Sequence, residues 1–99
     1  GIWGGGETPS QTDIMDYITI ATLGNATDFG DMLTNRWNAS ADGASSSTRG
    51  VWGGGANPSG RTNTIQYIQI ATQGDAVNFG DLQTAVNNFA ACSNGHGGL

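Results

Sequence analysis

The chain has 99 residues, 17 of them glycine, and only 11% are charged; three arginines against eight carboxylates give a net charge of −5. Nucleic-acid binding is excluded, because neutralising phosphates needs clustered Lys and Arg, and there is no lysine at all. No run approaches the roughly 18 consecutive apolar residues that span a bilayer, so membrane insertion is not expected.

The chain opens on GIWGGG, and at Gly50 nearly the same words return as GVWGGG. Shifting the sequence by 49 residues superposes Trp3, Gly4, Gly5, Gly6, Pro9 and Ser10 on Trp52, Gly53, Gly54, Gly55, Pro58 and Ser59. After a one-residue insertion near Gly60 and Arg61 the offset becomes 50, and Tyr17, Ile18, Ile20, Gly24, Phe29, Gly30 and Asp31 meet Tyr67, Ile68, Ile70, Gly74, Phe79, Gly80 and Asp81. Residues 1–49 and 50–99 therefore read as two copies of one unit. The insertion falls in ETPSQTD and ANPSGRTN, segments whose Pro, Ser, Gly and Asn predict a surface turn.

Within a unit the periodicity is that of strands. In DIMDYITIAT and TIQYIQIAT apolar residues occupy both parities, which predicts a strand covered on both faces. The next stretch, LGNATDFGD or QGDAVNFGD, is dense in Gly, Asn and Asp and predicts a turn. A shorter, more polar run over 31–37 and 81–87 suits an outer or edge strand, although 84–91 also carries a helical pattern. SSTRGVWGG predicts a further strand entering the second glycine triplet. Glycine belongs where backbone passes close to a neighbour or leaves ordinary φ/ψ space.

The chemistry-bearing residues are few. Asp28 and Asp31 suggest a carboxylate pair or a calcium loop, but the copy reads Asn78 and Asp81, so Asx-turn bonds to the backbone are the better reading. His96 has no acid or nucleophile near it in sequence, and with Cys92 it falls short of a metal-ligand set. Cys92 is the sole cysteine, so an internal disulfide is excluded. The glycine triplets lack the Lys-Ser/Thr ending of a phosphate loop. Asn25 and Asn38 head N-glycosylation patterns, whereas Pro58 spoils the one at Asn57. No catalytic residue, metal or cofactor is expected, and the chain reads as a non-enzyme.

An all-β unit of about 50 residues with two apolar faces must stack on neighbours. The expected architecture is a pair of β-propeller blades completed by other repeats or chains, with a linear β-solenoid as the alternative. Trp3, Trp52, Tyr17, Tyr67, Phe29 and Phe79 recur in phase and are expected to pack between units. Trp37 has no counterpart, Asn87 standing in its place; with Glu7 and Arg61 in the variable loops it is a candidate for a binding contact.

The order of glycine triplet, loop, tyrosine strand (DYITI, QYIQI) and Asn/Asp turn resembles the kelch repeat. It departs from that pattern in placing Trp3 and Trp52 before the glycines, and Phe29 and Phe79 where kelch carries tryptophan. The wording RGVWGGG, IxYIxIATxG, FGDL and AACSNGHGGL is similar to repeat arrays in structural proteins of tailed phages. That resemblance implies a structural or adhesive component of a virion, tail or extracellular filament. Its implied partners are copies of itself or further repeats, other virion proteins, or a host-surface glycan.

Overall fold

The computed structural model describes residues 1–36, 43–87 and 91–93, and is all-β: over half of the described residues are strand and none of them is helical. It contains several antiparallel sheets, none of them closed.

The first unit is a three-stranded meander of β1 (Ile2–Thr8), β2 (Ser10–Tyr17) and β3 (Thr27–Arg36). Pro9 makes the tight turn between Thr8 and Ser10, which pair directly. The second unit has β5 (Arg49–Gly53), β6 (Ala56–Asn57), β7 (Gly60–Arg61), β8 (Thr64–Gln69) and β9 (Val77–Asp81), and its sheet also takes in β4 (Gly43–Ser45) from the end of the first copy. Its main sheet runs β4-β5-β8-β9, and β6-β7 form a separate small hairpin. The stretch SSTRGVWGG forms a strand only over Arg49–Gly53, and its first three residues make the turn that joins β4 to β5. Ser46 Oγ accepts from the Thr48 and Arg49 N–H groups at 3.3 and 3.2 Å and turns the serine tract back on itself.

The register repeats residue for residue. Trp3 pairs with Asp16 and Gly4 with Met15; Trp52 pairs with Gln66 and Gly53 with Ile65. Between β2 and β3 the ladder runs Met15↔Gly30 then Asp16↔Asp28, and between β8 and β9 it runs Ile65↔Gly80 then Gln66↔Asn78. Phe29 and Phe79 are each the extra residue of a β-bulge at the same place. Each ring meets the tyrosine across the ladder edge-on, Tyr17–Phe29 at 5.9 Å and Tyr67–Phe79 at 6.0 Å. This overturns part of the predicted turn: only 18–26 and 70–76 are loop, because pairing with the tyrosine strand and the ring contact override the turn propensity of DFGD and NFGD.

The glycine triplets bend the hairpin. Gly5 and Gly54 take φ of 71° and 68°, Gly6 and Gly55 take 126° and 101°, conformations closed to most side chains. In the first unit the bend is a register shift between Gly4 and Gly6. In the second it splits the arm into the β5–β8 ladder and the β6–β7 tip, where Asn57 Oδ1 accepts from the Ser59 N–H at 2.9 Å. The helical pattern over 84–91 forms no helix in 84–87, where Val86 instead bonds Gly55 and Thr62 through the backbone; 88–90 lie outside the described residues.

Because side chains alternate along a strand, each sheet has two distinct faces. A tryptophan face carries Trp3, Asp16 and Ile18 in the first unit, and Trp52, Gln66 and Ile68 in the second. A tyrosine face carries Ile2, Met15, Tyr17, Phe29 and Met32, matched by Val51, Ile65, Tyr67, Phe79 and Leu82. The core forms where the first unit's tyrosine face lies on the second unit's tryptophan face: Met15, Phe29 and Met32 pack with Trp52, Ile68 and Ala76, flanked by Ile2 and Tyr17. The expectation that each tyrosine strand is covered on both faces is therefore corrected. Among the described residues the two units pack on each other through one face each, and they use opposite faces. β3 is the edge strand of its sheet, as expected, but it is not polar throughout, since Phe29, Met32 and Arg36 are all buried.

Candidate functional site

The most constructed feature of the molecule is this interface between units. The loop before β9 docks along the open edge of β3 as an irregular extra strand. Gly74 N–H donates to Phe29 O at 2.9 Å, Ala76 N–H to Asp31 O at 2.8 Å, and Gln73 Nε2 to Asp28 O at 3.0 Å. Asp75 Oδ1 accepts from the Asp31 N–H at 3.1 Å. The approach is so close that a Cβ on Gly30 would lie 2.4 Å from the Gly74 carbonyl oxygen. Gln66, fully buried, accepts the Leu33 N–H on Oε1 at 2.8 Å, leaving its Nε2 without a partner among the described residues.

Arg36, also fully buried, donates from Nη1 to the Gly54 carbonyl and from Nε to Thr34 Oγ1. Burial lowers its pKa. Since Arg36 also pairs with Thr12 in β2, it brings the two hairpin tips to the same end of the molecule. Arg36→Met keeps the apolar stem and removes these bonds; its expected cost is about 1–2 kcal/mol, checked by urea unfolding.

The residues expected to pack between units divide sharply. Trp52 and Phe29 are buried at the interface, at 7% and 4% exposure, while their repeat partners Trp3 and Phe79 stand at 53% and 58%. Tyr17 and Tyr67 are half-buried. Glu7 and Arg61 are exposed on the two hairpin tips. Trp37 lies outside the described residues, as do Asn38 and His96. Asn25 is exposed on its loop, and so is the free thiol of Cys92.

The sequence reading missed Met15, Met32, Arg36, Gln66 and the 73–76 loop as interface elements. A signal existed for two of them: Arg36 and Gln66 are polar residues whose repeat partners are Val86 and Asp16, so the two units differ there in charge.

Carboxylates gather at the same seam. Asp31 has its pKa raised, first by desolvation and then by the charges of Asp13, Asp75 and Asp28. Two of these groups serve the backbone: Asp28 Oδ1 accepts the Gly30 N–H at 3.1 Å, and Asp75 caps Asp31. Among the described residues no three His, Cys, Asp or Glu side chains form a group that could hold a metal. Folding makes Asp31 harder to ionise, so at neutral pH it carries a penalty that disappears as pH falls through its raised pKa towards the ordinary 3.8. Asp31→Asn is expected to raise the melting temperature at pH 7 and to lose that advantage below about pH 3.8, as thermal melts at both pH values would show.

Between the units an open cleft of about 340 Å³ is lined by Gly1, Ile2, Gly50, Trp52, Ile68 and Ile70, none of which has an ionisable side chain. Compared with known proteins, the chain matches no family model and no curated protein at a significant level.

Proposed function

We propose that this chain is a non-enzymatic structural repeat module, its two units acting as blades of a β-propeller or steps of a β-solenoid within a larger assembly. The observation that carries this reading is the unit-on-unit interface, where the recurring aromatic positions and the buried polar groups are spent on joining one repeat to the next. The titratable groups support it too, since Asp28, Asp75 and Arg36 all bond backbone rather than converge on a cleft. The likeness of the repeat wording to tailed-phage arrays makes a virion, tail or extracellular filament the place to look. Mass spectrometry of purified particles or filaments from the source organism is the test: the chain is expected as a stoichiometric component, and its absence there would sink the reading.

Adhesion through the rim is a second reading. It is favoured by the exposed, variable hairpin tips bearing Glu7 and Arg61, which Arg36 brings to one end. Screening the chain on a glycan array is its test, and signals no higher than background would discard it.

A further inference from the structure

We infer, resting on the structural-module reading, that the two free faces are made for each other: the second unit's tyrosine face stacks on the first unit's tryptophan face of a second copy of this chain. The molecule contains the pattern of this contact once already. Its internal interface places Met15, Phe29 and Met32 of one unit on Trp52, Ile68 and Ala76 of the next. The same repeat positions lie on the two free faces, as Ile65, Phe79 and Leu82 on one and Trp3, Ile18 and Ala26 on the other. Each of these six is less covered than its counterpart in the interface.

The free faces also keep the internal geometry. A Cβ on Gly4 would touch Met32 and Met15, and one on Gly53 would touch Leu82 and Ile65, so the tyrosine face is arranged alike in both units. Trp3 lies back over Gly1, with 3.2 Å between its ring and a Cβ there, as Trp52 lies over Gly50 at 3.3 Å. The loop that docks on β3 is matched by the first unit's own loop, where Gly24 has φ 158° against 156° at Gly74. Its landing site exists as well: Gly80 repeats Gly30, but a Cβ there would find nothing within 4 Å. Stacking would let Gly24 and Ala26 N–H groups reach Phe79 O and Asp81 O, with Asn25 Oδ1 taking the part of Asp75. A contact between unlike faces is heterologous, and so propagates into a ring or an open filament.

Sedimentation velocity of the full chain over a range of concentrations tests this, with Trp3→Asp and Phe79→Asp as variants whose fold is checked by circular dichroism. The wild type is expected to associate, and each variant alone to bind at least about 30-fold more weakly, as for an interface hot spot. An equimolar mixture of the two is expected to form a one-to-one dimer, because each variant keeps the face the other has lost. Association that neither substitution weakens, or variants that do not rescue each other, would overturn the stacking while leaving the structural-module reading to its own test. A monomeric wild type would also overturn it, including one that associates only after residues 94–99 are deleted, which would identify that segment as the occupant.

Discussion

Trp52→Ala lowers the stability of the chain by about 3–5 kcal/mol, whereas Trp3→Ala, at the same position of the repeat, costs about 1 kcal/mol or less. The two indoles share their register, each pairing across to the tyrosine strand, and each lies back over the glycine two residues before it. What differs is their surroundings. Trp52 is 7% exposed, enclosed by Met15, Phe29, Met32, Ile68 and Ala76 and walled by the β4 backbone at Gly43, where a Cβ would lie 3.0 Å from its Nε1. Truncating it leaves a cavity that Gly43 and Gly50 have no side chains to fill. Trp3 is 53% exposed, so its loss removes few contacts. For a chain of this size each kcal/mol moves the melting midpoint by roughly 4–8 °C, so Trp52→Ala should melt at least about 12 °C lower while Trp3→Ala falls by no more than about 8 °C. Equal effects would mean that the unit interface is not what holds the fold together.

This pair also shows what the sequence reveals and where it stops. The repeat, the all-β class and the glycine positions were legible, because turn chemistry and phase are local properties. Tyr17, Phe29, Tyr67 and Phe79 stood out for the same reason, recurring at fixed spacing. Which face of each sheet is covered was not legible, since Trp3 and Trp52 sit in nearly identical words and burial depends on what lies beside the unit. The start of β3 was hidden because Asp28, Gly30 and Asp31 look like a turn until Phe29 is seen to bulge out against Tyr17. Arg36 and Gln66 were passed over because polar residues in a strand normally face water, and their burial follows from contacts 18 and 33 residues away in the chain.

The interface therefore has a direction, and the residues on its two sides do different work. On the tryptophan side a rigid ring and a bent loop form the socket. On the tyrosine side a bulge pushes phenylalanine outward and opens a strand edge. Each unit carries both sides in its sequence, but among the described residues each uses one of them to pack on the other unit. Differences between the copies at the joined faces, Gln66 for Asp16 and Arg36 for Val86, put a neutral amide and a long donor where the contact is buried.

Gly30→Ala and Gly80→Ala make the strictest test of that direction. Both glycines hold unusual backbone, with φ of 146° and 156°, so alanine is expected to cost about 1–3 kcal/mol at either from conformation alone. At Gly80, in chain dilute enough to be monomeric, the cost ends there, because an added Cβ meets open space. At Gly30 the same methyl would sit 2.4 Å from Gly74 O and 3.0 Å from Asp75 N, atoms of backbone that cannot rotate away. The 73–76 loop must retreat, and with it go the bonds from Gly74 N–H to Phe29 O and from Ala76 N–H to Asp31 O, each contributing about 1 kcal/mol. Gly30→Ala should therefore cost about 3–5 kcal/mol in all, exceeding Gly80→Ala by about 2 kcal/mol. Hydrogen exchange adds a readout specific to place: Gly30→Ala is expected to speed exchange of the Gly74 and Ala76 amides selectively. If the two variants unfold at the same denaturant concentration with those amides still protected, the loop is not docked on β3 and the direction assigned to the interface is wrong.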